Sequence, residues 1–191
     1  MIQRGQTLQA KVSSQSLVKP GELIDVVESV PLKLQDKRLF NELLANAWND
    51  IGEGKEHRIH KSDLTHNDRH LGRLDDSLDR LMGTFIKSIV VRDGEKHRTR
   101  FHFLARIDDP YEDPDGFIKY RFSEDAEKMM LNSTVFARIQ RDVMFALSSR
   151  YSLALYEILA KRINLKHTQS EMFEVDMFRA MLGVPDGKYK L

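Results

Sequence analysis

The sequence contains no cysteine. This absence excludes disulfide bridges, thiolate metal ligands and cysteine nucleophiles, and it is typical of a reducing compartment. No uncharged apolar run approaches the ~18 residues that are needed to span a bilayer. Residues 1–21 also lack the apolar stretch of a secretory signal. We therefore expect a cytoplasmic protein with no membrane partner.

Motifs of common enzymes are absent as well. No G-x-x-x-x-G-K-[ST] segment is available to cradle the phosphates of a nucleotide. Metal-assisted nicking of DNA by a tyrosine requires two histidines that flank one apolar residue, whereas His102 stands alone between Phe101 and Phe103. We predict that the chain has no catalytic residues and is not an enzyme.

The histidines and acidic clusters do not predict a metal or cofactor site. His66 and His70 are four residues apart, as in metal-binding helices, but the glutamate that follows the first histidine in zinc proteases is missing. The prolines of the acidic segment 108–116 break the alternate-oxygen pattern of a calcium loop. We interpret His57 and His60 as loop residues. The prediction is no metal and no cofactor.

Charge is abundant but unevenly distributed. Charged residues make up 31% of the 191 residues, hydrophobic residues 41%, and the formal net charge is only +1. Cations dominate residues 85–106, and acids dominate residues 108–127. This division is compatible with an anionic partner, and equally with an ordinary solvated surface.

The first half of the chain contains two strong helical patterns. Residues 1–30 are predicted to be a flexible tail. From Asp36, the expected N-cap, apolar residues recur on one helical face until Gly52 and Gly54 end the helix. A short segment near 61–64 precedes a second helix, which begins near Asn67 and has a buried stripe at Leu71, Leu74, Leu78, Leu81, Met82 and Phe85.

A basic β-hairpin follows. Residues 86–106 read as two β-runs joined at Asp93-Gly94, because glycine tolerates the positive φ of a type I′ turn. Residues 117–122 alternate as a half-buried strand, and Ser123 is expected to cap a helix that ends at Met130. Residues 135–147 fit either a helix or a strand; we favour a helix.

This order of elements predicts an α+β fold of the winged-helix type, in which a helix-turn-helix carries a β-hairpin wing. We assign residues 31–147 to this domain. A further helical pattern from Tyr151, a short strand at 171–175 and a helix at 176–183 predict that residues 148–191 begin a second winged helix.

The candidate DNA-binding residues lie on the second helix and on the hairpin. A recognition helix enters the major groove with its N-terminal residues nearest the bases, where asparagine and arginine read base edges. Alternate cations on one strand share one face of the hairpin and suit phosphates. An equally simple interpretation is that the polar and basic residues of this helix and hairpin keep the surface soluble, or pair with Asp68, Asp75 and Asp76. The candidates are Asn67, Arg69, Arg73, Arg80, Lys96, Arg98 and Arg100.

Two segments resemble the replication initiator proteins of iteron-containing bacterial plasmids. The first is SSRYSLALYEILAKR, residues 148–162, and the second is LGVPDGKY, residues 182–189. The residues that carry the similarity are Ser149, Tyr151, Ser152, Leu155, Tyr156, Glu157, Leu159, Leu182, Gly183, Val184, Pro185 and Tyr189. LQDKRLFNELL, the basic hairpin and FIKYRFSED look like the family's first winged helix, so the resemblance extends over residues 31–191.

The resemblance implies two winged helices in tandem, of which the first, residues 31–147, serves dimerisation and contributes DNA backbone contacts. It implies a bacterial protein that binds double-stranded DNA at repeated origin sequences, represses its own promoter as a homodimer, and recruits host replication proteins. This sequence departs from the family pattern by ending at Leu191, where the second recognition helix is expected. We therefore expect apolar residues of the second segment to be exposed unless they pack on the first domain or on another chain. These are Leu155, Leu159, Phe173, Phe178 and Leu182.

A second interpretation belongs to a different functional class. The same winged helix could serve as a dimerisation or protein-docking module without strong DNA binding of its own. In that case the hairpin or another strand pairs across a subunit interface. Charge reversal of Arg98 and Arg100 separates the two interpretations, because it would change either DNA binding or oligomer mass.

Overall fold

The computed structural model describes residues 13–65, 71–92, 94–110, 116–163, 172–185 and 187–188. The helices are α1 (Leu34–Ala47), α2 (Lys61–Thr65), α3 (Leu71–Gly83), α4 (Glu124–Leu131), α5 (Arg141–Ala146), α6 (Arg150–Ile163) and α7 (Val175–Met181). The strands are β1 (Ser16–Pro20), β2 (Val27–Glu28), β3 (His57–His60), β4 (Phe85–Arg92), β5 (Glu95–His102), β6 (Leu104–Asp108), β7 (Phe117–Phe122) and β8 (Phe136–Gln140).

Three small antiparallel sheets form within these ranges. β1 pairs with β8, β4 lies between β2 and β5, and β7 lies between β3 and β6. The second β-run of the predicted hairpin is therefore divided at Phe103, because β5 stays with β4 while β6 joins β7. α1, α2 and α3 followed by the β4–β5 hairpin give the predicted α+β winged-helix order.

The main core lies between α1, α3 and the inner faces of two sheets. Trp48, Tyr120 and Phe122 are its largest fully buried side chains. The N-cap of α1 is Lys33, three residues before the predicted N-cap: Asp36 lies inside the helix and accepts a hydrogen bond from the Lys33 N–H at 2.8 Å. Gly52, with φ near +87°, turns the chain after α1, and a Cβ there would lie 2.7 Å from Leu131. Both expected ends of this helix need correction: α1 already ends at Ala47, and residues 48–51 form turns that lead to Gly52.

A second core lies between the β1–β8 sheet and the C-terminal helices. It contains Leu17, Ile139, Met144, Leu153 and Ile158. Each such side chain contributes about 1.5–3 kcal/mol when it leaves water. The prediction of a flexible tail over residues 1–30 was therefore wrong for β1, which is buried throughout because it pairs with a strand far along the chain.

Three further local predictions need correction. His57 and His60 form the ends of β3, since this segment pairs with β7. Residues 136–140 are a strand and only 141–146 are helical, because Ala137 and Ile139 alternate into the second core. The strand expected at 171–175 is also wrong over its described part, as residues 172–174 are irregular and Val175 begins α7.

Candidate nucleic-acid interface

The β4–β5 hairpin, called the wing below, has two different faces. Ile86 and Phe101 are opposite one another and buried, so this face meets the core. Lys87 is opposite Arg100 on the other face, which points away from the protein. The turn between the strands has Gly94 at φ near +82°, as the hairpin prediction requires. At its base, the wing therefore places Ile86 and Phe101 in the core and directs Lys87 and Arg100 to the surface.

The outer face of the wing carries four cations. Lys96, Arg98 and Arg100 alternate along β5, and Lys87 lies across from Arg100; all four are exposed. Among the described residues, none forms an ion pair with any of the four. Like charges directly opposite one another destabilise a sheet. Of the four, only Lys87 and Arg100 are directly opposite one another, so their repulsion is the one that a bound anion would relieve.

The described part of α3 is less basic than the wing. Arg73 is exposed, but Asp75, Asp76 and Asp79 are exposed on the same helix. These carboxylates oppose the approach of phosphate to this part of the helix. The remaining helix candidates, Asn67 and Arg69, lie outside the described residues.

Arg80 lies in an internal ion pair. Its Nε and Nη2 donate to the two carboxylate oxygens of Asp36, both at 2.9 Å, and Nη2 also donates to Ser77 Oγ at 3.0 Å. Asp36 is fully buried, so its negative charge depends on this guanidinium. The bond to Asp36 raises the pKa of Arg80. The pair joins α3 to α1, and DNA contact by Arg80 stays a prediction.

A second internal network involves Glu157, one of the residues in the LYE motif. Lys19 Nζ on β1 and Asn41 Nδ2 on α1 donate to its two carboxylate oxygens at 2.9 and 2.8 Å. All three residues are buried. Sequence reasoning missed this role, although one signal was present: Glu157 is the sole acid of α6 and lies beside the buried Ala154 and Ile158.

α6 and α7 pack on the first domain through one face and leave another exposed. Leu153 and Ile158 are buried, whereas Leu155 and Leu159 are 39% and 52% exposed, as expected from the sequence. Phe173, Phe178 and Leu182 are half-buried against the second core, so the described structure covers them in part. Whether residues 148–191 begin a second winged helix stays a prediction.

The histidines give no metal site within the described ranges. No group of three or more histidines and carboxylates lies close enough to hold a metal ion there. Burial lowers the pKa of His57, and the His60 ring lies 2.7 Å from Ser62 Oγ. His66 and His70 fall outside the described residues. None of the helices in these ranges is long and apolar enough to cross a membrane.

The helices and the wing define a winged-helix domain. The family described as "Initiator Replication protein, WH1" matches residues 16–160, which is most of the chain. The chain belongs to this family, and the resemblance to plasmid replication initiators is confirmed. Its role is therefore in the initiation of DNA replication.

One similar solved structure is titled "X-Ray Crystal Structure of the MSBI1.176 WH1 Domain, a Replication Protein Isolated from a Multiple Sclerosis Patient". It has 13% sequence identity and a TM-score of 0.40, and the match covers 52% of this chain and 86% of that chain. No curated protein sequence matches this chain.

Proposed function

We propose that this replication initiator is a non-catalytic protein that binds double-stranded DNA through the outer face of the wing. The observation that supports this proposal is the set of four exposed cations at Lys87, Lys96, Arg98 and Arg100. Each cation that neutralises a phosphate releases a counterion, so affinity should fall steeply with salt. Contacts of this type position a protein on DNA without reading its sequence.

The finer roles follow from the family and are part of the same proposal. The chain binds repeated sequences at a plasmid origin in the bacterial cytoplasm, represses its own promoter as a homodimer, and contacts host replication proteins. Recognition of the base sequence at the origin requires side chains outside the wing, because the wing contacts phosphates. Asn67, Arg69 and Arg73 remain the candidates for this task on the second helix.

The decisive experiment is fluorescence anisotropy with a labelled duplex at several salt concentrations. The test variant is Arg98→Glu/Arg100→Glu. The matched control is Lys55→Glu/Lys128→Glu, which changes the net charge equally at two exposed lysines of other surfaces. We expect the wing variant to lose at least tenfold in affinity and to show a flatter salt dependence, while the control changes little.

Either of two results would contradict this role of the wing. One is the absence of duplex binding even at low salt. The other is an equal loss in the wing variant and the control, which would mean that only overall charge matters. Thermal unfolding of all variants should remain cooperative, because the reversed side chains are exposed.

A protein-association function is the second candidate, and one observation favours it. Leu155, Leu159 and Ile163 follow one another at four-residue spacing on α6 and are 39%, 52% and 84% exposed. Such an apolar ridge is typical of an interaction surface. If it mediates self-association, Leu159→Lys should reduce the mass measured by light scattering, whereas Arg98→Glu/Arg100→Glu should leave the mass unchanged.

A further inference from the structure

The sheet formed by β3, β7 and β6 has an exposed outer face of unusual composition. Along β7, Ile118, Tyr120 and Phe122 are buried while Phe117, Lys119 and Arg121 are exposed. The register places Arg58 and His60 of β3 and Arg106 of β6 on the same outer face. We call this set the β7 platform: Arg58, His60, Arg106, Phe117, Lys119 and Arg121.

An aromatic stack lies at one side of the β7 platform. The guanidinium of Arg58 is 3.8 Å from the centroid of the Phe117 ring, and the His60 ring meets that ring edge-on at 4.8 Å. Phe117 remains 39% exposed despite these contacts. The platform thus offers planar π surface to solvent beside positive charge, a combination on which an unpaired base stacks favourably.

The cations of the platform repel one another. Arg58 lies directly across from Lys119, and Arg106 directly across from Arg121. Two carboxylates offset part of this repulsion: Asp108 lies 2.7 Å from Arg106 and directly across from Lys119, and Glu56 lies 3.5 Å from Lys119. The side chains of these two pairs are between 34% and 66% exposed. Exposed ion pairs contribute only about 0–1 kcal/mol. A phosphate chain can therefore replace them and relieve the repulsion at the same time.

We propose that the β7 platform binds single-stranded DNA, with a base stacked on the Phe117–Arg58 pair and phosphates on Lys119 and Arg121. A duplex keeps its bases stacked inside and cannot use the aromatic surface in this way. An acidic peptide could use the cations but would gain less from the rings. The proposal goes beyond duplex binding by the wing and does not depend on it.

The test compares two probes on the same variants: a labelled oligothymidine of about 12 nucleotides and a labelled hairpin duplex. Phe117→Leu keeps an apolar side chain of similar size but removes the ring. It should weaken oligothymidine binding about tenfold, within the range measured for loss of one stacked base. Duplex binding should remain unchanged. Phe117→Trp should retain or strengthen binding of the single strand, because tryptophan keeps an aromatic ring at this position.

Two further variants guard against indirect effects. Lys119→Ala/Arg121→Ala removes the phosphate contacts without touching the stack, and it should weaken only the single-stranded probe. Lys55→Ala/Lys128→Ala is the matched control on other surfaces and should bind both probes normally. Thermal melting identifies any variant that fails to fold.

Three outcomes would overturn the proposal. The first is no oligothymidine binding at low salt, and the second is binding that neither Phe117→Leu nor Lys119→Ala/Arg121→Ala weakens. The third is displacement of oligothymidine by polyglutamate at an equal concentration of charge, which would assign the platform to an acidic protein segment. Because the hairpin duplex is measured in parallel, failure here is distinguishable from failure of the wing to bind DNA.

Discussion

The wing and the interior both contain lysine and arginine side chains, but those of the wing are exposed and those of the interior bind buried carboxylates. Lys96, Arg98 and Arg100 are exposed, and no described residue forms an ion pair with them. Lys19 and Arg80 each bind a buried carboxylate with well-formed hydrogen bonds. The first group is accessible to a ligand, whereas the second group holds elements of the fold together.

This difference shows how much the partner of a cation decides its role. A buried ion pair does not stabilise a fold strongly compared with apolar residues, but removing one member leaves an uncompensated charge. An exposed cation can be removed without such a penalty. Substitutions in the two groups should therefore affect different measurements: unfolding for the interior and DNA affinity for the wing.

The largest effect is expected for Lys19→Met. The substitution leaves the Glu157 carboxylate buried without its cation, so the free energy of unfolding should fall by about 3–5 kcal/mol. Urea denaturation measures the change. The double variant Lys19→Met/Glu157→Leu should recover much of the loss, because it removes both charges. A small effect of the single substitution would show that water or Asn41 suffices to hold Glu157.

Arg80→Ala should produce the next largest effect. Among the described residues it leaves the buried Asp36 with the Lys33 N–H as its one hydrogen-bond donor, and we expect a loss of about 2–3 kcal/mol in unfolding free energy. Duplex affinity of the folded variant should not change. Arg73→Ala on the same helix is the comparison, since it should change affinity more than stability. A reversed pattern would place Arg80 on DNA.

Lys96→Ala should affect binding alone. Loss of one phosphate contact should reduce the slope of log affinity against log salt by about 1. The unfolding free energy should stay within about 0.5 kcal/mol, as is usual for surface substitutions. Anisotropy titrations at several salt concentrations measure the slope. An unchanged slope would remove Lys96 from the interface.

The smallest expected effect is a pH dependence that arises in the interior. Burial lowers the pKa of His57 from its ordinary value of 6.5, so the unfolded chain binds a proton more readily than the native state. Stability from this residue is therefore intact above about pH 6.5 and decreases as the pH falls below it. His57→Phe should flatten the dependence of the melting temperature on pH in this window. An identical dependence in both proteins would assign it to other groups.

Elements with a local signal were predictable from the sequence. The wing turn follows from Asp93-Gly94, and the cap of α4 follows from Ser123, whose Oγ accepts from the Ala126 N–H at 3.1 Å. The alternation of residues 117–122 identifies β7 because each side chain faces either the core or solvent. In these cases the residues that decide the structure are neighbours in sequence.

Elements that depend on distant partners were missed. β1 is a strand because residues 136–140 lie beside it, and nothing within residues 16–20 indicates this pairing. The ion pair between Arg80 and Asp36 was likewise missed, because its two members are 44 residues apart in sequence. The cations of β5 were predicted to share a face because strand alternation is local, and the register confirms that they do.

The pairing of β1 with β8 has a mechanical consequence. Ser16 lies opposite Gln140 and Pro20 opposite Phe136. The N-terminal end of β1 and the C-terminal end of β8 are therefore at the same end of the ladder. Tension applied between residues 13 and 147 would load the hydrogen bonds one after another, as a zipper opens, instead of shearing them together. Force spectroscopy should therefore record early release of β1 at low force, whereas a single high-force rupture would contradict this geometry.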